Sequence, residues 1–141
     1  EKVFGIKAEN SDVTSGELSM EGYKAVAKKL ASRFNIHTVA ITLRESISAN
    51  DNVWSAMLYN QNEYYFSKKY NLHIVDRVGG GDSFGGGLIY ALSEGMDNQS
   101  VIEFAVAASA LKHSIHYDFN EVGVDEVKTL MGGDGSGRVQ R

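Results

Sequence analysis

The stretch DRVGGGDSFGGG, residues 76–87, places six of the chain's fifteen glycines around a single acidic residue, Asp82. The residues that lead into it, NLHIVDRV (71–78), have the apolar, β-branched composition of a short buried strand, and apolar residues recur at helical spacing after it, up to Gly95. A flexible linker joins independent units, whereas here a strand leads in and a helix leads out. The stretch therefore predicts a structured turn between a strand and a helix.

The three glycines before the helix predict a site for an anion. Gly79, Gly80 and Gly81 carry no side chains, so their N–H groups are accessible at a helix N-terminus, which bears about half a positive charge. Two common phosphate motifs do not fit. The G-x-G-x-x-G pattern requires glycine where Phe84 stands, and a Walker A loop requires lysine where Gly86 or Gly87 stands. The pattern indicates another class of anion site.

Asp82 and the later glycines each allow two interpretations. A carboxylate in the first helical turn stabilises the helix dipole, and beside an anion site it can also serve as a general base toward an alcohol. Glycines 85–87 fall early in the helix, where each costs about 1 kcal/mol relative to alanine. Close packing of the helix against its neighbours, or close approach of a ligand to the backbone, would offset that cost.

A serine nucleophile is the rival interpretation of the same stretch. GDSFG, residues 81–85, fits the G-x-S-x-G nucleophile elbow, with Ser83 as the nucleophile. An elbow requires the strand to run straight into its first glycine, and two further glycines intervene here. Three downstream residues could complete a triad or could bind a metal ion: His113, His116 and Asp118. His113 and Lys112 could instead place positive charge at a helix C-terminus.

Composition limits the class of protein. The chain has 141 residues, of which 43% are hydrophobic, and this predicts one domain, residues 1–141, with a core of its own. The net charge of −4 argues against nucleic acid as a partner. No apolar run reaches the roughly 20 residues of a membrane span. The absence of cysteine makes a reducing, cytoplasmic setting the default.

The order of predicted elements is that of an α/β protein. A β-hairpin is predicted around the polar triplet Asn60 to Asn62, because β-type runs flank it on both sides. The Ala-rich helix is nearly apolar all round, which predicts burial against a sheet. The elements and the Gly-rich tail are, in order, helix 15–34, strand 37–43, hairpin strands 52–59 and 63–69, strand 71–78, the helix after the glycines, helix 99–113, a short helix 124–131 and tail 132–141.

The glycine stretch resembles a signature of a known family. DRVGGGDSFGGGLI, residues 76–89, is similar to the second signature of the ribokinase-like (PfkB) sugar kinases. VAITLRES (39–46), NVWSAMLY (52–59) and FAVAASALKHSI (104–115) resemble the bacterial 2-keto-3-deoxygluconate kinases within that family. The resemblance implies a large α/β sandwich with a mostly parallel sheet flanked by helices. It also implies phosphorylation of a sugar or sugar-acid hydroxyl with ATP and Mg²⁺.

The resemblance assigns roles to individual residues. Thr42 and Arg44 also have a plainer interpretation, as a strand-end threonine and a solvated arginine. Val106 stands where many relatives have asparagine, and SIHYDFN (114–120) lacks their Pro-Gly turn. The implied roles are Asp82 as catalytic base; Gly79, Gly80, Gly81 and Asp82 as the anion hole; Thr42, Arg44, Ala107 and Ser109 near the nucleotide; and Asp76 and Val78 at a monovalent cation such as K⁺ in some relatives.

The resemblance further implies that this chain corresponds to the C-terminal, nucleotide-binding part of a kinase. The family's N-x-x-E motif and its sugar-binding half with a lid would precede Glu1. The expected partners are therefore a nucleotide, a sugar-acid substrate, that N-terminal half and, in some states, a second copy of the chain. We expect the chain alone not to turn over, because phosphoryl transfer requires nucleotide, metal and acceptor to be held together. A non-catalytic nucleotide binder, an interaction module and a serine hydrolase remain as alternatives.

Overall fold

The protein is an α/β unit of four helices and four strands in the residues that its computed structural model describes, 5–6, 20–116 and 119–133. The α/β class predicted from the sequence is confirmed. Residues 15–19 of the first predicted helix, residues 134–141 of the tail and Asp118 lie outside the described residues. The elements are α1 Met20–Phe34, β1 Thr38–Ser46, β2 Asp51–Asn60, β3 Glu63–Phe66, β4 Tyr70–His73, α2 Gly80–Ser93, α3 Asn98–Lys112 and α4 Val124–Gly132.

The sheet is built around β2, which pairs antiparallel with each of the other three strands. The mostly parallel sheet predicted from the resemblance is therefore wrong for the described part of the chain. The physical reason is the length of the connections. Four residues, 47–50, join β1 to β2, and two residues join β2 to β3, whereas a parallel crossover needs a dozen or more.

The predicted hairpin around Asn60 to Asn62 is confirmed. Asn60 pairs with Glu63, so the loop between β2 and β3 contains only Gln61 and Asn62. Both loop residues have left-handed backbone conformations, with φ angles of 48° and 69°. Two successive positive φ angles match the twist of the flanking strands, as in a type I′ turn.

The two faces of the sheet pack against different helices. Trp54, Ala56 and Leu58 face the core formed with α2, α3 and α4, while Met57 and Tyr59 face α1. Twelve of the fifteen residues of α3 are buried, which confirms the predicted burial of this Ala-rich helix. The face that packs on α3 is therefore the interior of the unit.

The strand predicted to end at the glycines is shorter than expected. β4 ends at His73, and residues 74–79 form a loop although their composition is that of a strand. The backbone N–H of Ile74 donates to Asn50 O at 2.7 Å, and that of Val75 donates to His113 O at 2.9 Å. Tertiary partners thus take the hydrogen bonds that a strand neighbour would have taken.

Helix α2 starts within the glycine stretch and ends where the sequence predicts. Gly95 has a φ angle of 68° and follows the last turn, as in a helix C-cap. Ile89 and Leu92 lie on one side of α2 and are 69% and 42% exposed, so that side of the helix is apolar and uncovered by described residues. No helix in the described ranges is long and apolar enough to cross a bilayer.

Candidate functional site

The glycine stretch forms a turn whose N–H groups are available to a ligand. Gly79 is the N-cap of α2 with a φ angle of 76°, a conformation that favours glycine. The first helical hydrogen bond runs from Ser83 N to Gly79 O at 2.8 Å, so the N–H groups of Gly79, Gly81 and Asp82 precede it and have no helical partner. Gly80 N donates to Arg77 O at 3.4 Å. We call residues Gly79–Asp82 the anion turn.

Asp82 lies in the first turn of α2 and is exposed. Among the described residues no hydrogen bond or ion pair holds its carboxylate, and it does not cap the helix N-terminus. Its charge still stabilises the helix dipole. The geometry therefore leaves the carboxylate accessible beside the anion turn, as a proton acceptor must be.

Serine hydroxyls connect helix α3 to the anion turn and the start of α2 through hydrogen bonds. Ser109 Oγ donates to Gly80 O at 2.8 Å, and Ser83 Oγ donates to Ala108 O at 3.1 Å. Ser109 is fully buried, as is Ala107 on the same helix. The structure thus places Ser109, predicted near the nucleotide, where it fixes the turn rather than where it is open to solvent.

His113 follows α3 as its C-cap and is buried against the anion turn. Its Nδ1 donates to Ser109 O at 2.7 Å, so the neutral ring carries its proton on Nδ1. Burial lowers the pKa of His113, the bond to Ser109 O opposes that effect, and the positive charges of Lys112, Arg77 and Arg44 lower the pKa further. The predicted placement at a helix C-terminus is confirmed, but the environment disfavours positive charge on this ring.

Thr42 and Arg44 of β1, predicted near the nucleotide phosphates, lie on the same face of the sheet as Trp54, which packs on His113. Thr42 pairs with Ala56 and Arg44 pairs with Trp54, and Trp54 packs on His113 with ring centroids 4.9 Å apart. Both Thr42 and Arg44 are exposed. The positive charge of Arg44 is one of those that act on His113.

Two residues of this region were missed by sequence reasoning. An Nη2 hydrogen bond from Arg77 to Ala49 O ties the loop between β1 and β2 to the loop before the anion turn. Asn120 Nδ2 donates to Ser83 Oγ at 2.9 Å. Arg77 lies inside the glycine signature and could have been noticed as a cation beside an anion site, whereas nothing in the sequence singles out Asn120.

The residues predicted near a monovalent cation form a tight turn. Asp76 Oδ1 accepts a hydrogen bond from Val78 N at 2.9 Å, and Asp76 N donates to His113 O at 3.4 Å. Asp76 is half-buried, whereas Val78 is 56% exposed. The structure thus places both residues in the loop that enters the anion turn.

The rival sites gain no support from the geometry. Ser83 is only 8% exposed, and its hydroxyl donates to a backbone carbonyl and accepts from an amide, so no base contacts it. In the described part of the chain, no three His, Cys, Asp or Glu side chains are grouped so as to hold a metal ion. His116 is exposed, and Asp118 lies outside the described residues.

The glycines divide into two groups by their surroundings. A Cβ atom on Gly87 would lie 3.1 Å from Ala108 Cβ and 3.2 Å from Ala105 Cα, so this glycine permits close packing of α2 on α3. A Cβ on Gly85 or Gly86 would meet nothing within 4 Å. Packing within this chain therefore explains Gly87 and leaves Gly85 and Gly86 unexplained.

Comparison with known proteins identifies the family. The sequence profile described as pfkB family carbohydrate kinase matches residues 3–117. The chain is 30% identical over 110 residues to the 2-dehydro-3-deoxygalactonokinase of Haloferax volcanii, an alignment that covers 77% of this chain and 32% of the relative.

Solved structures of the same family have the same fold. The 2-dehydro-3-deoxygluconokinase of Thermotoga maritima superposes with a TM-score of 0.79 at 48% identity, covering 82% of this chain and 35% of that one. A PfkB family carbohydrate kinase of Listeria grayi gives 0.72 at 31% identity, with 82% and 36% covered. The chain thus spans about a third of the length of these relatives. On the match over residues 3–117, the chain belongs to the pfkB family of carbohydrate kinases.

Proposed function

We propose that this chain forms the nucleotide-phosphate site of a kinase that phosphorylates a hydroxyl of a sugar acid such as 2-keto-3-deoxygluconate, with Asp82 as general base. The observation that carries the proposal is the anion turn itself, in which unpartnered N–H groups lie beside an exposed carboxylate. The relatives supply the substrate class, since two of them are named as kinases of 2-dehydro-3-deoxy sugar acids.

The charges around the turn support a polyphosphate as its ligand. The exposed side chains of Arg44 and Arg77 carry positive charge near His113, whose ring lies against Gly80 of the turn. Together with the N–H groups at the start of α2, these cations favour negative charge. A nucleotide triphosphate carries several negative charges and would interact with all of these positive groups. A ligand with a single carboxylate would interact with only some of them.

The proposed reaction requires only a few groups of this chain. Asp82 takes the proton from the sugar hydroxyl, whose oxygen forms a bond to the γ-phosphorus while the bond from that phosphorus to the departing ADP oxygen breaks. The N–H groups of Gly79, Gly81 and Asp82 stabilise the charge on the transferred group. Mg²⁺, when bound with the nucleotide, neutralises phosphate charge. The described residues hold no metal-binding cluster, so we propose that Mg²⁺ enters with the nucleotide.

The proposal assigns binding to this chain and turnover to the complete kinase. The groups that would hold a sugar acid are not assigned to any described residue, and phosphoryl transfer requires acceptor and nucleotide in one geometry. A monovalent cation at Asp76 and Val78 also remains a prediction. The testable content for this chain is therefore nucleotide binding at the anion turn.

Calorimetric titration with Mg·ATP tests the proposal with a matched pair of variants, Gly81→Asp and Gly81→Asn. A side chain at Gly81 meets nothing within 4 Å, so both variants should fold, and they differ only in charge. A carboxylate about 5 Å from a phosphate costs on the order of 2 kcal/mol, or about thirtyfold in Kd. We expect Gly81→Asn to bind close to wild type and Gly81→Asp to bind much more weakly.

Asp82→Asn separates binding from base catalysis. We expect this variant to bind Mg·ATP as well as wild type or better, because it removes a negative charge beside the phosphates. Equal binding by the two Gly81 variants would place the nucleotide elsewhere. A folded wild-type chain that gives no binding heat and no ATP-dependent rise in Tm would overturn the assignment of nucleotide binding to this chain.

A further inference from the structure

The edge of the His113 imidazole lies directly against the backbone of the anion turn. A Cβ atom on Gly80 would lie 2.7 Å from both Cε1 and Nε2 of His113. Real Cβ contacts are essentially never this short, so glycine at this position leaves the room that the ring occupies. The ring and the turn therefore fill one space, and a change in either must displace the other.

The ring is fixed from two further sides. Its Nδ1 donates to Ser109 O at 2.7 Å, which sets the orientation of the imidazole plane. The Trp54 ring packs against it at 4.9 Å between centroids, with the planes inclined by 58°. His113 is 5% exposed, so it has little free space into which to swing. The ring therefore has little freedom to move when a side chain is added at Gly80.

The same residue also fixes the chain that enters the turn. His113 O accepts hydrogen bonds from Val75 N at 2.9 Å and Asp76 N at 3.4 Å. Ser109, the acceptor of the imidazole proton, in turn donates its hydroxyl to Gly80 O at 2.8 Å. The backbone of His113 thus anchors residues 75–76, and its ring limits Gly80.

We propose that His113 is a positioning residue for the nucleotide phosphates. Its imidazole ring fixes the position of the Gly80 backbone and thereby the directions of the N–H groups of Gly81 and Asp82. The inference rests on the proposed function and deepens it, since it names what fixes the geometry of the phosphate site. The ring acts through the turn and touches no ligand. Because Asp82 is the last residue of the turn, the ring also sets where its carboxylate lies relative to the phosphates.

A double-mutant cycle tests this proposal with Gly80→Ala, His113→Asn and the two combined. Asparagine keeps a donor near the position of Nδ1 for Ser109 O but lacks the Cε1–Nε2 edge that meets Gly80. We expect Gly80→Ala to weaken Mg·ATP binding about tenfold when His113 is present and to have little effect in the His113→Asn background, a coupling typical of residues in contact. Gly86→Ala, the same substitution further along α2 and outside the anion turn, meets open space; it is the control and should bind like wild type.

Two spectroscopic measurements distinguish an imidazole ring that sets the conformation of the turn from a ring that only packs against it. Trp54 is the only tryptophan, so its fluorescence reports on the ring that it contacts. Amide ¹H–¹⁵N shifts of Gly79, Gly81 and Asp82 report on the turn. We expect Gly80→Ala to move these amides and to leave Trp54 fluorescence nearly unchanged. If the fluorescence changes and the amides stay, the ring yields and the proposal fails; this comparison stands even if His113→Asn does not fold.

The experiments distinguish failure of the proposed role of His113 from failure of the proposed nucleotide binding. Equal losses from Gly80→Ala in both backgrounds would overturn the role of His113 while wild-type binding of Mg·ATP still supported the phosphate site. Absence of wild-type binding would remove the proposed function of this chain. The amide shifts would still decide whether His113 sets the turn.

Discussion

Tyr70 is fully buried on the face of the sheet that packs on α3, and its hydroxyl has no hydrogen-bond partner within the described residues. Burial, together with the negative charge of Glu103, raises the pKa of Tyr70 from 10.0 to about 12. A buried hydroxyl without a partner costs about 1–3 kcal/mol, whereas its removal leaves only a small void. Tyr70 is therefore a polar group that the fold tolerates rather than uses.

Replacing Tyr70 with phenylalanine should not destabilise the protein. We expect Tyr70→Phe to range from neutral to about 1 kcal/mol more stable at pH 8 in urea denaturation, because the unpaired hydroxyl is gone. In wild type the unfolded chain loses the Tyr70 proton above pH 10.0 and the folded chain only near pH 12, so stability falls as pH rises through that window. The variant should show a smaller fall. A clear loss of stability at pH 8 would mean that the hydroxyl has a partner.

At the residue scale, the sequence indicated the anion turn but not what fixes it. Glycines 79–81 and Asp82 stand together in the chain, so their spacing alone carries the prediction. Ser109 and His113 reach the turn only through the packing of α3 on α2, and no local pattern reports such a contact. Thr42 and Arg44 could be placed only as strand-end residues, since their position relative to the turn depends on sheet register.

Helices α2 and α3 pack closely on one another, and one glycine permits it. Gly87 faces Ala105 and Ala108 across the contact, whereas its neighbour Gly86 faces open space. The same substitution at the two positions therefore separates helix propensity from packing. We expect Gly86→Val to lie within about 0.5 kcal/mol of wild type, because valine replaces a poor helix former without new contacts.

Gly87→Val should destabilise the protein by about 2 kcal/mol, since an isopropyl group enters a well-packed contact between helices. Thermal or urea unfolding of both variants gives the comparison. Equal stability of the two would show that α2 and α3 separate without cost. Such a result would also remove the packing explanation for this glycine.

At the element scale, local patterns predicted the helices well and the strands less well. Apolar periodicity located α3 to within one residue at each end and indicated where α2 ends, because a helix satisfies its own backbone. Residues 74–78 resemble a strand in composition, yet their hydrogen bonds go to Asn50 and His113. The antiparallel pairing was implied by the short connections after Ser46 and Asn60, a signal that outweighs the family resemblance for this part of the sheet.

For the whole molecule, the two faces of the sheet differ in how much they bury. Among the described residues, the core on the α3 face includes residues from β2, β4, α2, α3 and α4, whereas the core on the α1 face has five buried members: Ala27, Ala31, Val39, Met57 and Tyr59. Within α1 the buried positions are Gly22, Ala27 and Ala31, which remove little apolar surface from water. The free energy of local opening should therefore differ between the two sides of the sheet.

Native-state hydrogen exchange should resolve this difference. We expect the central amides of α3 to exchange only through global unfolding, and those of α1 to exchange at least tenfold faster, because fewer buried contacts oppose their opening. Mg·ATP should slow exchange in residues 74–83, which form hydrogen bonds to α3 and to its C-cap His113, and leave α1 unchanged. Protection of α1 equal to that of α3 would contradict the argument. The site would then gain no rigidity from its position, whereas the expected pattern places the anion turn, at the start of α2, against the least mobile helix of the unit.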